Sequence, residues 1–283
     1  MERFRREDIT AGRLVDAVRR RIDDVPHILS WRFRSDRTEE NQRRLRQYHN
    51  RHSGERCFII GNGPSLKKTD LTLLRHEYTF GMNRIYLLFK ELGFETTYFV
   101  SSNERVVEQF QEDIRALSMP RFLNWRTRAL FDPEENSVLF FKLRLAFKDR
   151  FSPDPEHPIS GGATVTYVAL QLAYYMGFSQ VILIGVDHSF QYKGTPNRFI
   201  KQDLEDDVNH FSPEYFPKGL HWQVPDLLHS EVAYRLAREA YEKNGRQILD
   251  ATVDGQCPVF ERVAFSSLFS ACVGNLPREA PDT

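Results

Sequence analysis

Short apolar segments that alternate with single helical segments constrain the fold of this chain more than any other feature. Buried-strand patterns stand at RCFIIG (56–61), YTFGMN (78–83), TTYFVSS (96–102) and QVILIGVD (180–187). The long apolar segment TVTYVALQLAYYMGF (164–178) predicts a buried helix directly before the last of them. Strands that are joined through single helices form parallel sheets with helices on both faces. We therefore predict an α/β, Rossmann-like fold with a mostly parallel sheet.

The remaining elements are predicted from the same patterns. Further strands are expected at RFLNW (121–125), SVLFFKL (137–143) and RQILDAT (246–252), and helices at 65–76, 84–94, 103–117 and 230–245. Ser65 is expected to mark the start of the first of these helices.

Length and composition are those of an ordinary globular protein. With 283 residues and 41% hydrophobic content, the chain can bury a full core, as one large domain or one domain with appendages. It has neither a run of about 18 apolar residues nor a signal-peptide pattern. We therefore expect a cytoplasmic protein, at most peripheral at the inner face of the membrane. Cys57, Cys257 and Cys272 are widely separated and lack metal-ligand spacing, so we expect neither disulfides nor a metal site built on them.

An excess of positive charge sets the N-terminal segment apart from the rest of the chain. Residues 1–54 contain 14 arginines against 9 acidic residues, although the net charge of the whole chain is zero. Within them, residues 13–22 have the apolar periodicity of an amphipathic helix. We assign residues 1–54 to a basic helical N-terminal extension, 55–270 to a nucleotide-binding catalytic domain and 271–283 to a flexible tail.

The basic extension has several candidate partners. An excess of arginine fits an anionic membrane surface, a nucleic acid or an acidic partner, whereas a solvated helical face is the plainest alternative. Its apolar side fits packing on the domain or on a second subunit, which would make a homo-oligomer. We carry forward peripheral membrane contact and self-association as hypotheses, and we expect no nucleic-acid partner.

The segment GNGPSL (61–66) follows the first strand pattern where parallel sheets bind ligands, beyond the carboxyl ends of their strands. Gly61 and Gly63 would let the backbone approach a ligand without a Cβ, and the N–H groups that follow suit a phosphate or a ribose oxygen. Asn62 offers an acceptor and a donor, and Ser65 either caps the helix or donates to the ligand. A tight turn before a capped helix needs the same residues, so the segment alone leaves both interpretations open.

Three other predicted strands also end in polar residues. They are FGMNR with Asn83 and Arg84, FVSSN with Ser101 and Ser102, and LIGVDHSF with Asp187 and His188. One such end is easily explained as a capped turn. Four of them at the same edge of a sheet predict a polar cleft that binds the phosphate and ribose of a nucleotide.

One superfamily resembles this chain across about residues 55–265, on the segments FIIGNGPSL, FGMNR, GGATVTYVALQLAYYMGFSQVILIGVDHSF and AYEKNGRQILDAT. It joins the bacterial sialyltransferases that use CMP-sialic acid, the central domain of flagellar motility accessory factors, and the archaeal 6-hydroxymethylpterin diphosphokinases of the MptE-like family. The resemblance implies a transferase with a nucleotide-linked donor.

The sialyltransferase pattern implies ligand contacts at the matching positions of this chain. The implied contacts to the nucleotide, its phosphate and the donor are Gly61, Asn62, Ser65, Asn83 and either Ser101 or Ser102. The serine-glycine pair that the sialyltransferases carry before the long apolar helix is not reproduced, and Thr164 stands near that place. Gly63, Arg84 and Asp187 complete the expected nucleotide site.

An inverting transfer from a CMP-sugar needs a base that takes the proton of the acceptor, and groups that stabilise the departing phosphate. Imidazole suits the base role because its pKa lies near neutrality. Counting back from the glutamate-lysine pair of the last helix brings the catalytic histidine of the sialyltransferases onto His229, with His188 and His210 as alternatives. Tyr192 and Tyr215 are candidate donors to the leaving phosphate.

Two enzymatic functions are compatible with these features. The first is a metal-independent glycosyltransferase that uses a CMP-sugar, without a tightly bound cofactor, and accepts a glycan or protein through the segment 209–225. The second is a pyrophosphoryl transferase that uses ATP and Mg²⁺, for which Asp187 and the acidic cluster 205–207 offer carboxylate ligands. A nucleotide- or glycan-binding protein without catalysis is the third class.

Overall fold

An eight-stranded parallel sheet forms the centre of the computed structural model, which describes residues 11–33, 35–145, 148–190, 196, 198–202 and 207–269. The strands of the sheet are β1 (Arg56–Ile60), β2 (Tyr78–Met82), β3 (Tyr98–Ser101), β4 (Arg121–Asn124), β5 (Val138–Phe141), β6 (Gln180–Ile184), β9 (Gln247–Asp250) and β10 (Glu261–Arg262). A separate antiparallel pair consists of β7 (Phe199–Lys201) and β8 (His221–Gln223).

Seven α-helices are present in the described residues. They are α1 (Ala11–Arg32), α2 (Asp36–Arg46), α3 (Phe89–Leu92), α4 (Glu104–Gln109), α5 (Gln111–Arg115), α6 (Val165–Tyr175) and α7 (Leu227–Lys243). Short 3₁₀ segments add Pro64–Lys68, Leu71–Leu74, Ile85–Leu88, Trp125–Leu130 and Phe265–Leu268. None of the described helices is both long enough and apolar enough to cross a bilayer.

The sheet confirms the predicted α/β, Rossmann-like fold. Its strand order is β10-β9-β6-β1-β2-β3-β4-β5, and every neighbouring pair is parallel. The chain winds outward in one direction from β1 through β5 and returns to the other side of β1 with β6. Such a reversal opens a crevice between the loops that follow the two central strands. Ile60 at the end of β1 pairs with Ile184 at the end of β6, so both loops start at the same level.

Apolar residues cover the sheet on both faces. Helix α6 is almost entirely buried and contacts β1, β2 and β3, which matches its unbroken apolar sequence. Tyr241 of α7 packs with α6 and donates a hydrogen bond to the carbonyl of Leu170 (2.7 Å). Successive strand residues point to opposite faces. On the other face, Phe58 of β1 stacks on Phe269 and meets Phe265 edge-on.

The predicted helix at 65–76 is wrong, whereas the one predicted at 84–94 is helical from Ile85 to Leu92 with a 3₁₀ first turn. The first is replaced by two 3₁₀ segments, separated by Thr69 in an extended conformation, and Asp70 caps the second of them through the Thr72 N–H. Short polar side chains that bond to nearby backbone compete with helix formation in this way. The second is a 3₁₀ turn followed by the four-residue α3, which ends at Gly93 in the left-handed conformation.

The described part of the N-terminal extension packs on the β5 edge of the sheet. Asn41 of α2 is buried, and its side chain donates to the carbonyl of Phe140 (2.9 Å) and accepts from the Phe140 N–H (2.8 Å). These bonds satisfy an edge strand that would otherwise leave its backbone groups unpaired. Trp31 of α1 meets Trp125 edge-on, with ring centroids 5.1 Å apart.

The two cysteines in the described residues agree with a structural role. Cys57 and Cys257 are both buried and unbridged, and burial raises the pKa of each thiol. Cys272 lies outside the described residues.

Candidate functional site

A cleft of about 610 Å³ opens at the carboxyl ends of β1, β2, β3 and β6. Five backbone segments form most of its wall, at 61–63, 102–105, 163–166, 185–190 and 223–227. The volume is in the range of small-molecule sites in proteins. The structure thus brings the predicted strand ends together around one cavity, at the reversal point of the strand order.

The loop after β1 packs directly against the loop after β6. A Cβ on Gly61 would lie 2.2 Å from the carbonyl oxygen of Gly185, and one on Gly63 would lie 1.8 Å from a carboxylate oxygen of Asp187. Glycine at both positions is therefore required by the approach of the β6 loop. Both glycines also line the cleft, so their predicted approach to a ligand stays a prediction. Asn62, between the two glycines, lines the cleft.

Asp187 and Ser65 join these two loops. The Ser65 N–H donates to Oδ1 of Asp187 (3.0 Å), and its hydroxyl donates to Oδ2 (2.6 Å). The sequence pattern offered Ser65 as a helix cap or as a donor to the ligand. The cap is not found, because both the N–H and the hydroxyl of Ser65 bond Asp187. Burial raises the pKa of Asp187, and the bonds from Ser65 oppose that rise.

Strands β2 and β3 end in a second polar contact. Asn83 lies in the left-handed region (φ 51°), lines the cleft, and accepts a hydrogen bond from the buried hydroxyl of Ser101 (3.0 Å). Ser102 lines the cleft, whereas Ser101 lies beneath Asn83 and holds its amide. Among the predicted polar residues at these two strand ends, Asn83 and Ser102 are therefore the ones that reach the cavity.

Arg84 does not line the cleft. Its guanidinium donates to the backbone carbonyls of Glu214 (2.7 Å) and Tyr215, and lies 4.0 Å from the ring centroid of Phe110. The side chain is buried, so these bonds are charge-assisted contacts within the protein. Arg84 anchors the loop that carries His210 and Tyr215 to the end of β2, so its role at the cleft is to position that loop.

His188 follows Asp187 and lines the cleft. Its backbone is left-handed (φ 55°), and its ring nitrogen Nε2 lies 3.1 Å from a carboxylate oxygen of Glu231 on α7. The ring is nearly buried, with 6% of the side chain exposed. A carboxylate on one ring nitrogen fixes the orientation of an imidazole and leaves the other nitrogen for a ligand.

His210 forms a second histidine-carboxylate pair on the same cleft. Its Nδ1 lies 2.7 Å from Oδ2 of Asp207, and its ring stacks on Tyr215, with centroids 3.9 Å apart and planes 7° apart. Both His210 and Tyr215 line the cleft, and burial raises the pKa of the Tyr215 hydroxyl. The Asp-x-x-His spacing of this pair was visible in the sequence DVNH.

His229 is not among the residues that line the cleft. It lies in the first turn of α7, about half exposed, and its Nε2 is 2.5 Å from a carboxylate oxygen of Asp149. This hydrogen bond and the negative charge of Asp149 raise the pKa of His229. The residue that the resemblance implied as the base therefore lies beside the cavity, in a different ion pair.

The amino-terminal end of α6 forms another wall. Thr164 caps this helix by accepting a hydrogen bond from the Thr166 N–H (3.2 Å), and both side chains line the cleft. The positive end of the α6 dipole therefore points at the cavity, a position that favours anions. Before the helix, Gly162 and Ala163 are both left-handed (φ 56° and 58°). Burial raises the pKa of the neighbouring Tyr234 to about 12.

The ends of β3 and β4 supply charged residues that the sequence analysis did not identify. Glu104, Arg105 and Arg126 line this side of the cleft, and Arg126 Nε lies 3.1 Å from Glu104. Arg126 also lies 3.7 Å from Asp24 of α1. No spacing in the sequence marks this cluster, because the adjacent pair Glu104 and Arg105 is far in sequence from Arg126. Of the predicted site residues, Tyr192 lies outside the described residues, as do two of the acidic residues of the 205–207 cluster.

One known protein family matches the sequence of this chain. The family model described as "6-hydroxymethylpterin diphosphokinase MptE-like" matches residues 36–193, which is more than half of the chain. The chain belongs to the MptE-like family. The match covers β1 to β6 together with Asp187 and His188, and it ends before Asp207, His210 and Glu231. Both carboxylates of the two histidine pairs on the cleft thus lie outside the matched segment.

Among solved structures, this MptE-like chain is similar to the MAf glycosyltransferase from Magnetospirillum magneticum AMB-1. The alignment has 15% sequence identity and a TM-score of 0.48, and it covers 81% of this chain but 38% of the other. This chain therefore spans well under half of that structure's length. A comparison with curated proteins gave no match.

Proposed function

We propose that this chain is a glycosyltransferase that binds a nucleotide-activated sugar of the CMP-linked class in the cleft and transfers the sugar to a hydroxyl acceptor. The observation that supports it most directly is the His210–Asp207 pair on the wall of a cleft built at the reversal point of a Rossmann-like sheet. The transfer inverts the configuration at the anomeric carbon of the sugar and releases the nucleotide.

The acceptor hydroxyl must lose its proton as it attacks the sugar, so the reaction needs a base. Asp207 bonds Nδ1 of His210, which holds the proton on that nitrogen and leaves the lone pair of Nε2 free to accept one. The stack on Tyr215 fixes the plane of the ring. We assign the base to His210, with His188 as the second candidate and His229 as a residue outside the reaction.

The departing nucleotide phosphate needs hydrogen-bond donors. Asn62, Asn83 and the amino-terminal end of α6 face the cleft from three sides. The amide oxygen of Asn62 is buried and has no hydrogen-bond partner among the described residues. A buried acceptor without a partner costs free energy, so a donor on the ligand, such as a ribose hydroxyl, would stabilise the complex.

The description of the matching family favours a second candidate, a pyrophosphoryl transferase that uses ATP and Mg²⁺. Such an enzyme holds magnesium through carboxylates beside the phosphates. In the described part of the cleft, the carboxylates already have protein partners: Asp187 binds Ser65, Glu104 binds Arg126, and Asp226 caps α7. These donors do not form a ready magnesium site, so we place this candidate second.

Thermal shifts separate the two candidates. CMP, CDP, UDP, ATP and GTP are each added with and without magnesium, because a ligand at about 100 times its Kd raises stability by about 2.7 kcal/mol. For a chain of this size that is a shift of about 5 °C. A shift with CMP that does not need magnesium supports the proposal. A shift with ATP that requires magnesium, and none with CMP, would replace it by the second candidate.

Turnover of a CMP-sugar then tests the base. His210→Gln should lower kcat by about 10²–10⁴ while CMP still shifts the melting temperature. His229→Gln is the matched control, because it removes a histidine-carboxylate pair of the same kind that does not line the cleft. If His229→Gln lowers kcat as much as His210→Gln does, the assignment of the base is wrong.

A further inference from the structure

The outer face of α1 is an exposed apolar stripe. Val18, Ile22, Val25 and Leu29 recur at intervals of three or four residues, so they lie on one side of the helix. Each is between 45% and 64% exposed. From Val18 to Leu29 the stripe is about 16 Å long.

Exposed apolar residues are concentrated on this segment. Of the eleven large hydrophobic residues that the described part of the chain exposes, six lie between residues 18 and 33. Single exposed hydrophobic residues are normal on a protein surface, but a contiguous row of them marks a surface that binds something apolar.

The opposite face of α1 is already used. Asp24 and Trp31 are buried, and Asp24 accepts two hydrogen bonds from Nζ of Lys142 (2.7 and 2.8 Å). Trp31 packs on Trp125. The helix is therefore held on the domain by its polar and aromatic inner face, and its apolar outer face is left exposed.

Arginines border the stripe. With 3.6 residues per turn, Arg19 lies along one border of it and Arg32 along the other, and both are exposed. On the same helical projection, Asp23, the exposed acidic residue among the described side chains of α1, lies farther from the centre of the stripe. In a two-fold dimer this face would meet itself and place arginines near arginines. An apolar surface that carries negative charge complements the face at both the stripe and its borders.

We propose that the outer face of α1 binds the surface of an anionic lipid bilayer, with the stripe in the interfacial region and the arginines at the headgroups. Amphipathic helices with basic borders bind bilayers in this way. The inner face of the same helix contacts Arg126 of the cleft wall through Asp24 (3.7 Å). Docking would therefore hold the cleft close to the membrane, where an acceptor anchored in lipid is within reach. That consequence rests on the proposed function, whereas bilayer binding does not.

Co-sedimentation with vesicles tests the proposal on the full chain. Vesicles of phosphatidylcholine alone are compared with vesicles that contain about a third phosphatidylglycerol. We expect at least tenfold stronger binding to the anionic vesicles, weakened by raising the salt concentration. Ile22→Asp should reduce that binding at least tenfold, and Arg19→Gln with Arg32→Gln should reduce it by roughly fivefold per arginine.

Val232→Asp is the matched control, since Val232 is a half-exposed valine on another helix, α7. Circular-dichroism melts confirm that each variant is folded, which the exposure of the substituted residues favours. Equal binding to both vesicle types, no binding, or an equal loss in Val232→Asp would overturn the proposal. So would a dimer in sedimentation velocity that Ile22→Asp dissociates, because the stripe would then bind a second copy. None of these outcomes depends on the nucleotide donor, so they leave the proposed function to its own tests.

Discussion

Breaking the buried ion pair between Asp24 and Lys142 by removing one of its charges should strongly destabilise the protein. The two side chains are 1% and 2% exposed, and Nζ of Lys142 also donates to the carbonyl of Leu143 (2.8 Å). Burial lowers the pKa of Lys142, and the bond to Asp24 opposes that effect. Removal of one partner leaves the charge of the other buried without its hydrogen-bonded counterion, which costs about 3–5 kcal/mol.

A double-mutant cycle measures the pair itself. Lys142→Met and Asp24→Leu should each lower the free energy of unfolding by about 3–5 kcal/mol. The loss in Lys142→Met is limited by Arg126, which lies 3.7 Å from Asp24 and still offers it a positive charge. The double variant removes both charges and should lie within about 2 kcal/mol of the parent, since it mainly loses the bond to one carbonyl. The coupling free energy should therefore be at least about 3 kcal/mol.

Urea unfolding provides the assay, followed by circular dichroism and by tryptophan fluorescence. Trp31 and Trp125 lie in contact across the interface between α1 and the domain, so fluorescence also reports the release of α1 alone. A fluorescence change that precedes the loss of helix would show that α1 detaches first. If the double variant costs as much as the sum of the single variants, the pair contributes nothing, and the reasoning is refuted.

Two other predictions follow from the contacts of the site. Gly63→Ala should lower the free energy of unfolding in urea by about 1–3 kcal/mol, because its Cβ would overlap Asp187. Gly161→Ala is the control and should be nearly neutral, because the atoms nearest to its Cβ would lie 3.8 Å away. Equal losses in the two variants would contradict the packing argument. Asp149 raises the pKa of His229 above 6.5, so this stabilisation is complete below about pH 6 and is lost as the pH rises through the raised pKa. Unfolding free energies from about pH 6 to about pH 8.5 should therefore decline more steeply in the parent than in Asp149→Asn, and identical slopes would show that the pair does not couple to folding.

The central part of the fold could be predicted from the sequence because its elements are strongly apolar. The strands β1 and β6 and the helix α6 are buried on all sides, so their sequences are nearly continuous hydrophobic runs. The segment 65–76 was mispredicted because its apolar spacing is compatible with a helix, while Asp70 and the bond from Ser65 to Asp187 impose another conformation. The second of these contacts joins residues 122 positions apart, which no local pattern can reveal.

The sequence predicted the location of the candidate site better than the side-chain contacts within it. Strand ends identify a cleft, since parallel strands bring their carboxyl ends to one edge. The position of strand ends does not show which carboxylate bonds a given histidine. His188 and Glu231 are 43 positions apart, and His229 and Asp149 are 80 apart. The pair Asp207–His210 is the exception, because its members are three residues apart and could have been recognised.

The backbone of the cleft explains why its side chains resist prediction. Among the described residues, five that are not glycine have a positive φ, and three of them, Asn83, Ala163 and His188, line the cleft. Each such conformation costs on the order of 1 kcal/mol and persists only where surrounding contacts hold it. Ser101 holds the side chain of Asn83, and Glu231 holds that of His188. Because tertiary contacts impose these conformations against local preference, the direction of each side chain is a property of the assembled sheet. A strained backbone held from outside the cavity keeps its polar groups aimed inward before a ligand arrives, and such preorganisation is what transition-state stabilisation requires.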